Sequence, residues 1–279
     1  MSGPLCARSL MQACGLPRLE ARMLMEHVTG RPRSWLLAHD TDPLPDDVPA
    51  RFQSLVQRRL AGEPMAYLVG HREFMGHRFK VAPSVLIPRP DTELLVETAL
   101  AHVRARRDAS PAPCAVLDMG CGSGVIAISL ALEQGGGVQV TALDVSEEAL
   151  AIARENAQAL GARVRFVQSD WFEALACEDR FDLILSNPPY IAADDPHLGE
   201  GDLRYEPVDA LTDGADGLSD IRLLVTRARG HLNPGGAIWL EHGWKQAGAV
   251  RELLQQAGFK RVASLQDLAG IERISGGYL

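Results

Sequence analysis

Ala115-Val116-Leu117-Asp118-Met119-Gly120-Cys121-Gly122-Ser123-Gly124-Val125 joins an apolar run to three glycines at alternate positions and then to a second apolar run. We read this stretch as a β-strand that turns sharply into a helix. Glycine allows the backbone to turn tightly and to approach a ligand closely, and between a strand and a helix N-terminus that freedom serves nucleotide-like cofactors. Outward from this unit the pattern repeats. Apolar β-prone runs predict strands over 115–119, 138–144, 164–168, 181–186, 237–241, 262–266 and 271–275; helical spacing predicts helices over 125–133, 147–160, 220–231 and 247–256. Strands that alternate with helices predict an α/β fold with a doubly wound, mainly parallel sheet. The last two strands have no helix between them, which predicts one antiparallel member near the edge.

The glycine spacing selects the cofactor class. A dinucleotide fingerprint has the form G-x-G-x-x-G/A, which would need Gly or Ala where Val125 stands. The third glycine comes one residue early, at Gly124, in the G-x-G-x-G form of S-adenosylmethionine enzymes. Alone, such a loop also fits a plain strand-to-helix turn, so the next strand ends decide its meaning. Asp144 ends the following strand, where a carboxylate can accept both ribose hydroxyl protons. Asp170-Trp171 ends the one after, offering a carboxylate to an adenine amino group and an indole to cover the ring, although Trp171 taken alone also fits core packing.

The fourth strand end is Phe181-Asp182-Leu183-Ile184-Leu185-Ser186-Asn187-Pro188-Pro189-Tyr190. Ligands of open parallel sheets bind beyond the carboxyl ends of the strands, so Asn187 is expected to project into that crevice with its side chain unpaired. Pro188 and Pro189 fix φ and remove two backbone donors, leaving a stiff turn of carbonyl acceptors that suits an amide substrate. The plainer alternative, a rigid sheet exit with Tyr190 packed on a neighbour, loses ground because the four strand ends converge on one crevice.

The remainder of the chain frames this unit. The first sixty or so residues read as short helices: 5–14 stopped by Gly15, a second opened by Pro17 with Leu19, Met23, Leu24 and Val28 at helical spacing, a third with Trp35, and a fourth with Phe52, Leu55 and Val56. Glycine-punctuated β-prone runs after Gly62 predict a hairpin linker, in which His71 and His77 are expected at the surface. Asp91-Thr92-Glu93 is read as a helix start, 108–113 as a loop, and the long segment 191–217 as a lid over the site. The expected domains are a helical unit over 1–62, the hairpin over 63–90 and the catalytic domain over 91–279.

Composition excludes other classes. With 46% hydrophobic and 23% charged residues the chain is that of a globular protein, and no apolar run approaches the roughly 20 residues that span a bilayer. The N-terminal Met1-Ser2-Gly3-Pro4-Leu5-Cys6-Ala7-Arg8 shows no secretory pattern, so a cytoplasmic location is expected. Cys6, Cys14, Cys114, Cys121 and Cys177 form no C-x-x-C pair, which argues against a disulfide framework or zinc knuckle, and we expect no metal. The net charge of −8 divides into +3 over residues 1–80 (11 Lys/Arg, 8 Asp/Glu) and −11 over 81–279 (17 Lys/Arg, 28 Asp/Glu). An acidic catalytic half is a poor partner for a phosphate backbone.

Together with Gly62-Glu63-Pro64, Tyr67, Gly70, Phe74, Gly76, Phe79, Leu86-Ile87-Pro88-Arg89-Pro90-Asp91-Thr92-Glu93, Tyr205-Glu206-Pro207 and Asp267-Leu268-Ala269-Gly270-Ile271-Glu272-Arg273, these motifs give a chain that resembles the release-factor glutamine methyltransferases, the PrmC/HemK group of class I S-adenosylmethionine-dependent methyltransferases, nearly end to end. Asn-Pro-Pro-Tyr is shared with other amino-group methyltransferases; the Ile-Pro-Arg-Pro-Asp-Thr-Glu stretch beside a helical N-terminal domain carries the family likeness. The resemblance implies a Rossmann-like methyltransferase sheet and N5-methylation of the glutamine in the Gly-Gly-Gln motif of class I peptide-chain release factors. It further implies cofactor contacts from Gly120, Cys121, Gly122, Ser123, Gly124, Asp144, Trp171 and Asn187, and substrate contacts from Asn187, Pro188, Pro189 and Tyr190, with Asn187, Pro188 and Tyr190 catalytic. The helical domain is then the release-factor dock, and the protein a monomer without a stable nucleic-acid partner. The rival readings are a ribosomal-protein glutamine methyltransferase, a DNA adenine-N6 methyltransferase and a non-catalytic adaptor.

Overall fold

The computed structural model describes residues 5–109 and 111–279. Met1 to Pro4 of the N-terminal stretch and Ser110 of the expected 108–113 loop lie outside the described residues. The chain divides into two compact units, Met1–His71 and Arg72–Leu279.

The first unit packs α1 (Ala7–Ala13), α2 (Arg18–Thr29), α3 (Arg33–His39), α4 (Val48–Leu60) and α5 (Met65–Val69) around Leu24, Met25, Phe52, Val56 and Leu68. Its apolar positions recur at helical spacing, so each helix turns one stripe inward. The Arg59 guanidinium of α4 grips the Glu20 carboxylate of α2 through two nitrogens, at 2.8 and 3.0 Å. One element departs from expectation. Residues 65–69, assigned above to a hairpin, form α5, because Pro64 opens a helical turn and Gly70, at φ 77°, closes it in the left-handed conformation. The hairpin proper is confined to β1 (His71–Phe74) and β2 (His77–Lys80), and His71 and His77 are half-buried rather than exposed.

The second unit continues with α6 (Asp91–Ala109), β3 (Cys114–Met119), α7 (Val125–Gln134), β4 (Val138–Asp144), α8 (Glu147–Leu160), β5 (Val164–Gln168), β6 (Phe181–Ser186), α9 (Ser219–Ala228), β7 (Leu232–Glu241), α10 (Ala247–Gln256), β8 (Lys260–Gln266) and β9 (Glu272–Tyr278). The seven strands of the large sheet lie in the order β5-β4-β3-β6-β7-β9-β8, and β9 runs antiparallel to both its neighbours. The antiparallel member thus sits one place in from the edge. Alternate side chains of each strand enter opposite layers. Val116, Leu183, Leu185 and Trp239 pack with α6, α7 and α8; Leu117, Ile184, Ile238 and Leu240 pack with α9 and α10. Strand β7 begins five residues earlier than expected, at Leu232, which pairs with Phe181 of β6; Asn233-Pro234-Gly235-Gly236, of turn composition, bulges out before pairing resumes between Ala237 and Leu183.

The parallel register decides where chemistry can gather. Met119 pairs with Leu143 and with Ser186, Asp144 with Gln168, and Ser186 with Leu240. The residues that follow each pairing therefore emerge at one sheet edge.

Candidate active site

A cavity of about 460 Å³ opens at that edge, a size within the range of small-molecule sites. Gly120, Cys121, Gly122, Ser123, Asp144, Asp170, Trp171, Asn187 and Pro189 line it. Of the site residues expected from sequence, Gly124, Pro188 and Tyr190 do not reach its wall.

The glycine loop is shaped by backbone bonds. Cys121 N donates to Leu143 O at 2.9 Å, and Gly124 N to Cys121 O at 2.8 Å. Gly122 faces the cavity with room to spare, since an added Cβ would meet nothing within 4 Å. Gly124 is the opposite case: φ is +83°, and a Cβ there would lie 2.8 Å from Ile128 Cδ1 and 3.1 Å from Ala153 Cβ. Its absence from the cavity wall follows, because it serves the junction between β3 and α7. Gly124→Ala should cost about 1–3 kcal/mol through overpacking and left-handed strain, which a lowered thermal midpoint would reveal; an unchanged midpoint would remove this structural role.

Asp144 closes the loop from the neighbouring strand. Its Oδ2 accepts from Gly122 N at 2.8 Å and its Oδ1 from Ser146 N at 2.9 Å. Burial raises its carboxyl above the ordinary range, and these two backbone bonds oppose the rise. Each oxygen keeps a further acceptor direction. Beneath the loop, Asp118 is fully buried and accepts from Ala127 N at 3.1 Å in the first turn of α7, with its carboxyl pushed up to about 7 by desolvation.

Trp171 adopts φ +45°, a left-handed conformation uncommon for a bulky residue. Ser169 Oγ donates to Trp171 O at 2.8 Å and accepts from Ala174 N at 3.0 Å, which holds the turn. A Cβ on Gly120 would come 3.7 Å from the indole, so the ring borders that glycine, and the Asp220 carboxylate accepts a hydrogen bond from the Trp171 side chain.

Asn187 corrects one expectation. Its side chain is not unpaired: Nδ2 donates to Thr92 Oγ1 at 3.2 Å. Thr92 in turn donates to Glu241 Oε2 at 2.7 Å, and the Tyr190 hydroxyl donates to Glu241 Oε1 at 3.2 Å. Glu241 ends β7 and is 1% exposed. The backbone of the Asn-Pro-Pro-Tyr turn is also held, because Gln246 Nε2 donates to Tyr190 O and to Gly217 O, each at 3.0 Å. Glu206, 4% exposed, accepts from Ile87 N at 2.9 Å and from Arg89, joining the 191–217 segment to the residues ahead of α6.

Thr92, Glu241, Glu206, Asp220 and Arg89 are the residues that sequence reasoning did not assign to the site. Asp91-Thr92-Glu93 serves as a helix start, and Thr92, Arg89 and Asp220 also line the cavity. Glu241 could have been found by its position at a strand end, beside those of Asp144 and Asn187.

Residues 6–70 match the family described as PrmC N-terminal domain, and residues 112–267 the family described as methyltransferase domain. A release factor glutamine methyltransferase of Bordetella pertussis is 61% identical to this chain, over 98% of both. That of Burkholderia pseudomallei is 51% identical over 99% of this chain and 97% of its own, and that of Escherichia coli 43% over 97% and 95%. A methyltransferase from Pyrococcus furiosus has the same fold, with a TM-score of 0.54 at 23% identity, over 80% of this chain and 95% of that structure.

Proposed function

The chain belongs to the release factor glutamine methyltransferases, and from that premise we propose that it methylates N5 of the glutamine in the Gly-Gly-Gln motif of class I peptide-chain release factors. It is an S-adenosylmethionine-dependent protein glutamine methyltransferase. The observation that carries the finer reading is that Asn187 lines the same cavity as the glycine loop, Asp144 and Trp171, which brings an amide-reading group beside a nucleoside-shaped recess.

The residues present suit the cofactor. Bare backbone at Gly122, acceptor directions left on Asp144 and an indole at the far wall match a polar nucleoside with one ring to cover. Gly120, Cys121, Gly122, Ser123, Gly124, Asp144, Trp171 and Asn187 are assigned to hold it, Gly124 by shaping the loop. When bound, S-adenosylmethionine supplies a methyl group on a sulfonium, an excellent leaving group.

The protein's own task is to position a poor nucleophile, since the lone pair of a primary amide is delocalised into its carbonyl. Asn187 Oδ1 and the Pro188 carbonyl each accept one amide hydrogen, Pro189 stiffens the turn and Tyr190 offers an aromatic face. These contacts orient the nitrogen and favour the positive charge that develops on it. No titrating base is required, because the methylated nitrogen becomes acidic.

Residues 1–62 are assigned to release-factor docking, 63–90 to the link and 91–279 to catalysis. We take the protein to act as a monomer in the cytoplasm, and the acidic 81–279 region supports the absence of a stable nucleic-acid partner. Among the described residues no helix is long and apolar enough to cross a membrane.

The test is transfer of labelled methyl groups to a purified release factor, with peptide mass spectrometry to locate the label. Modification confined to the Gly-Gly-Gln glutamine is expected. Label on another residue, or none, would overturn the substrate assignment.

A further inference from the structure

The Asn187 side chain must present oxygen, not nitrogen, to a substrate that offers N–H groups. The two ends of a carboxamide have almost the same shape and opposite hydrogen-bonding sign. Shape therefore cannot choose between them; only a neighbour of fixed polarity can. Thr92 is that neighbour, at 3.2 Å from Nδ2, yet a hydroxyl both donates and accepts and so has no fixed polarity of its own.

We propose that Glu241 is a positioning residue which, through Thr92, imposes the polarity that turns Asn187 Oδ1 toward the substrate amide. The proposal rests on the reading of Asn187 given above. An ionised carboxylate can only accept. Glu241 Oε2 therefore takes the Thr92 hydrogen at 2.7 Å, and Thr92 Oγ1 is left with lone pairs alone. Only the nitrogen end of Asn187 can then face it. The other oxygen, Oε1, takes the Tyr190 hydrogen, so one carboxylate orders the amide and the phenol together. The order runs from the end of β7 to the first turn of α6 and on to the turn after β6, three segments far apart in sequence.

The arrangement has a sign that titration reverses. A protonated Glu241 can donate to Thr92 Oγ1, which frees the Thr92 hydrogen to point at Asn187 and selects the flipped amide, with nitrogen turned toward the substrate N–H. The groups facing Glu241 are Thr92 and Asp91 from α6, Tyr190 from the turn after β6, and Arg273 from β9. Arg273 favours the charged form and Asp91 opposes it, while Arg273 is itself shared with Asp91 at 3.2 Å and Asp267 at 3.0 Å. Burial dominates and pushes the carboxyl up to about 7. Since the ionised form is the ordered one, kcat should fall as pH drops through that value.

The experiment compares wild type, Thr92→Val, Thr92→Ser and Glu241→Gln for kcat, KM for the release factor, cofactor Kd by calorimetry, and kcat against pH. Thr92→Val keeps the shape and removes the hydroxyl, leaving the Asn187 nitrogen without its acceptor. It should lower kcat about 10- to 100-fold, a larger factor than any change in cofactor Kd, and Thr92→Ser should restore most of the loss. Glu241→Gln cannot titrate, so its kcat should be flat across the pH range where wild type declines. A Thr92→Val kcat within about threefold of wild type, or a Glu241→Gln profile that keeps the acid limb, overturns the proposal. Should Thr92→Val fail to fold, the Glu241→Gln profile decides alone. A wild type that transfers no methyl group to the release factor overturns the substrate reading itself, a result distinct from active wild type with unaffected variants.

Discussion

Asn187→Ala is expected to lower kcat by about 10² to 10³, the scale found when one oriented hydrogen-bonding group is removed from a preorganised site. The loss should fall on kcat more than on KM, because a release factor docks over a wide surface while the single amide contact matters most as charge develops on nitrogen. Structure adds a second variant. Asn187→Asp keeps an oxygen toward the substrate but sets its other oxygen against Thr92 Oγ1, whose hydrogen is already committed to Glu241 at 2.7 Å. Two acceptors would then face each other, so Asp should rescue little of the alanine defect. Single-turnover methyl transfer checks both variants, and a rate for Asn187→Ala within a few-fold of wild type would sink the assigned role.

The contrast between Asn187 and Glu241 marks what the sequence discloses. Three glycines at alternate positions, a carboxylate at the end of the next strand and Asn-Pro-Pro-Tyr at the end of another are local patterns, and a parallel sheet brings strand ends to one edge by its construction. Thr92 carries no such local mark, and Glu241 shows only its place at a strand end. Asp91-Thr92-Glu93 has the composition of any helix start, and Glu241 is a polar residue after an apolar run. They acquire meaning only when α6 and β7 come together, a contact across 149 positions of chain. The reading of Met65–Val69 as hairpin fails for the reverse reason, since Gly70 punctuates a hairpin and a helix end equally well and only the left-handed φ of 77° tells which. Glu206 is similar: Tyr205-Glu206-Pro207 is recognisable as a motif, but its bond to Ile87 N spans 119 positions.

Asp144→Ala should weaken S-adenosylmethionine binding by about 10²-fold or more, while kcat at saturating cofactor changes much less. Two ribose hydroxyls donating to one carboxylate make two charge-assisted bonds, each worth roughly 1.5–3 kcal/mol. The substitution also strips Gly122 N and Ser146 N of their acceptor, so the glycine loop loses part of its support and the effect exceeds that of the ribose contacts alone. Asp144→Asn perturbs both contributions: its amide can accept from one of the two backbone N–H groups but turns a donor toward the other, so it should bind the cofactor more weakly than wild type. The pH dependence follows from the sign of the shift. Burial raises the Asp144 carboxyl and the ionised form is the one that accepts two hydroxyls, so affinity should decline toward acid in wild type and lose that dependence in Asp144→Ala. Calorimetry across pH measures this directly. Equal affinities for wild type and Asp144→Ala would refute the ribose assignment and leave the Gly122 and Ser146 bonds as the whole reason for a carboxylate at that strand end.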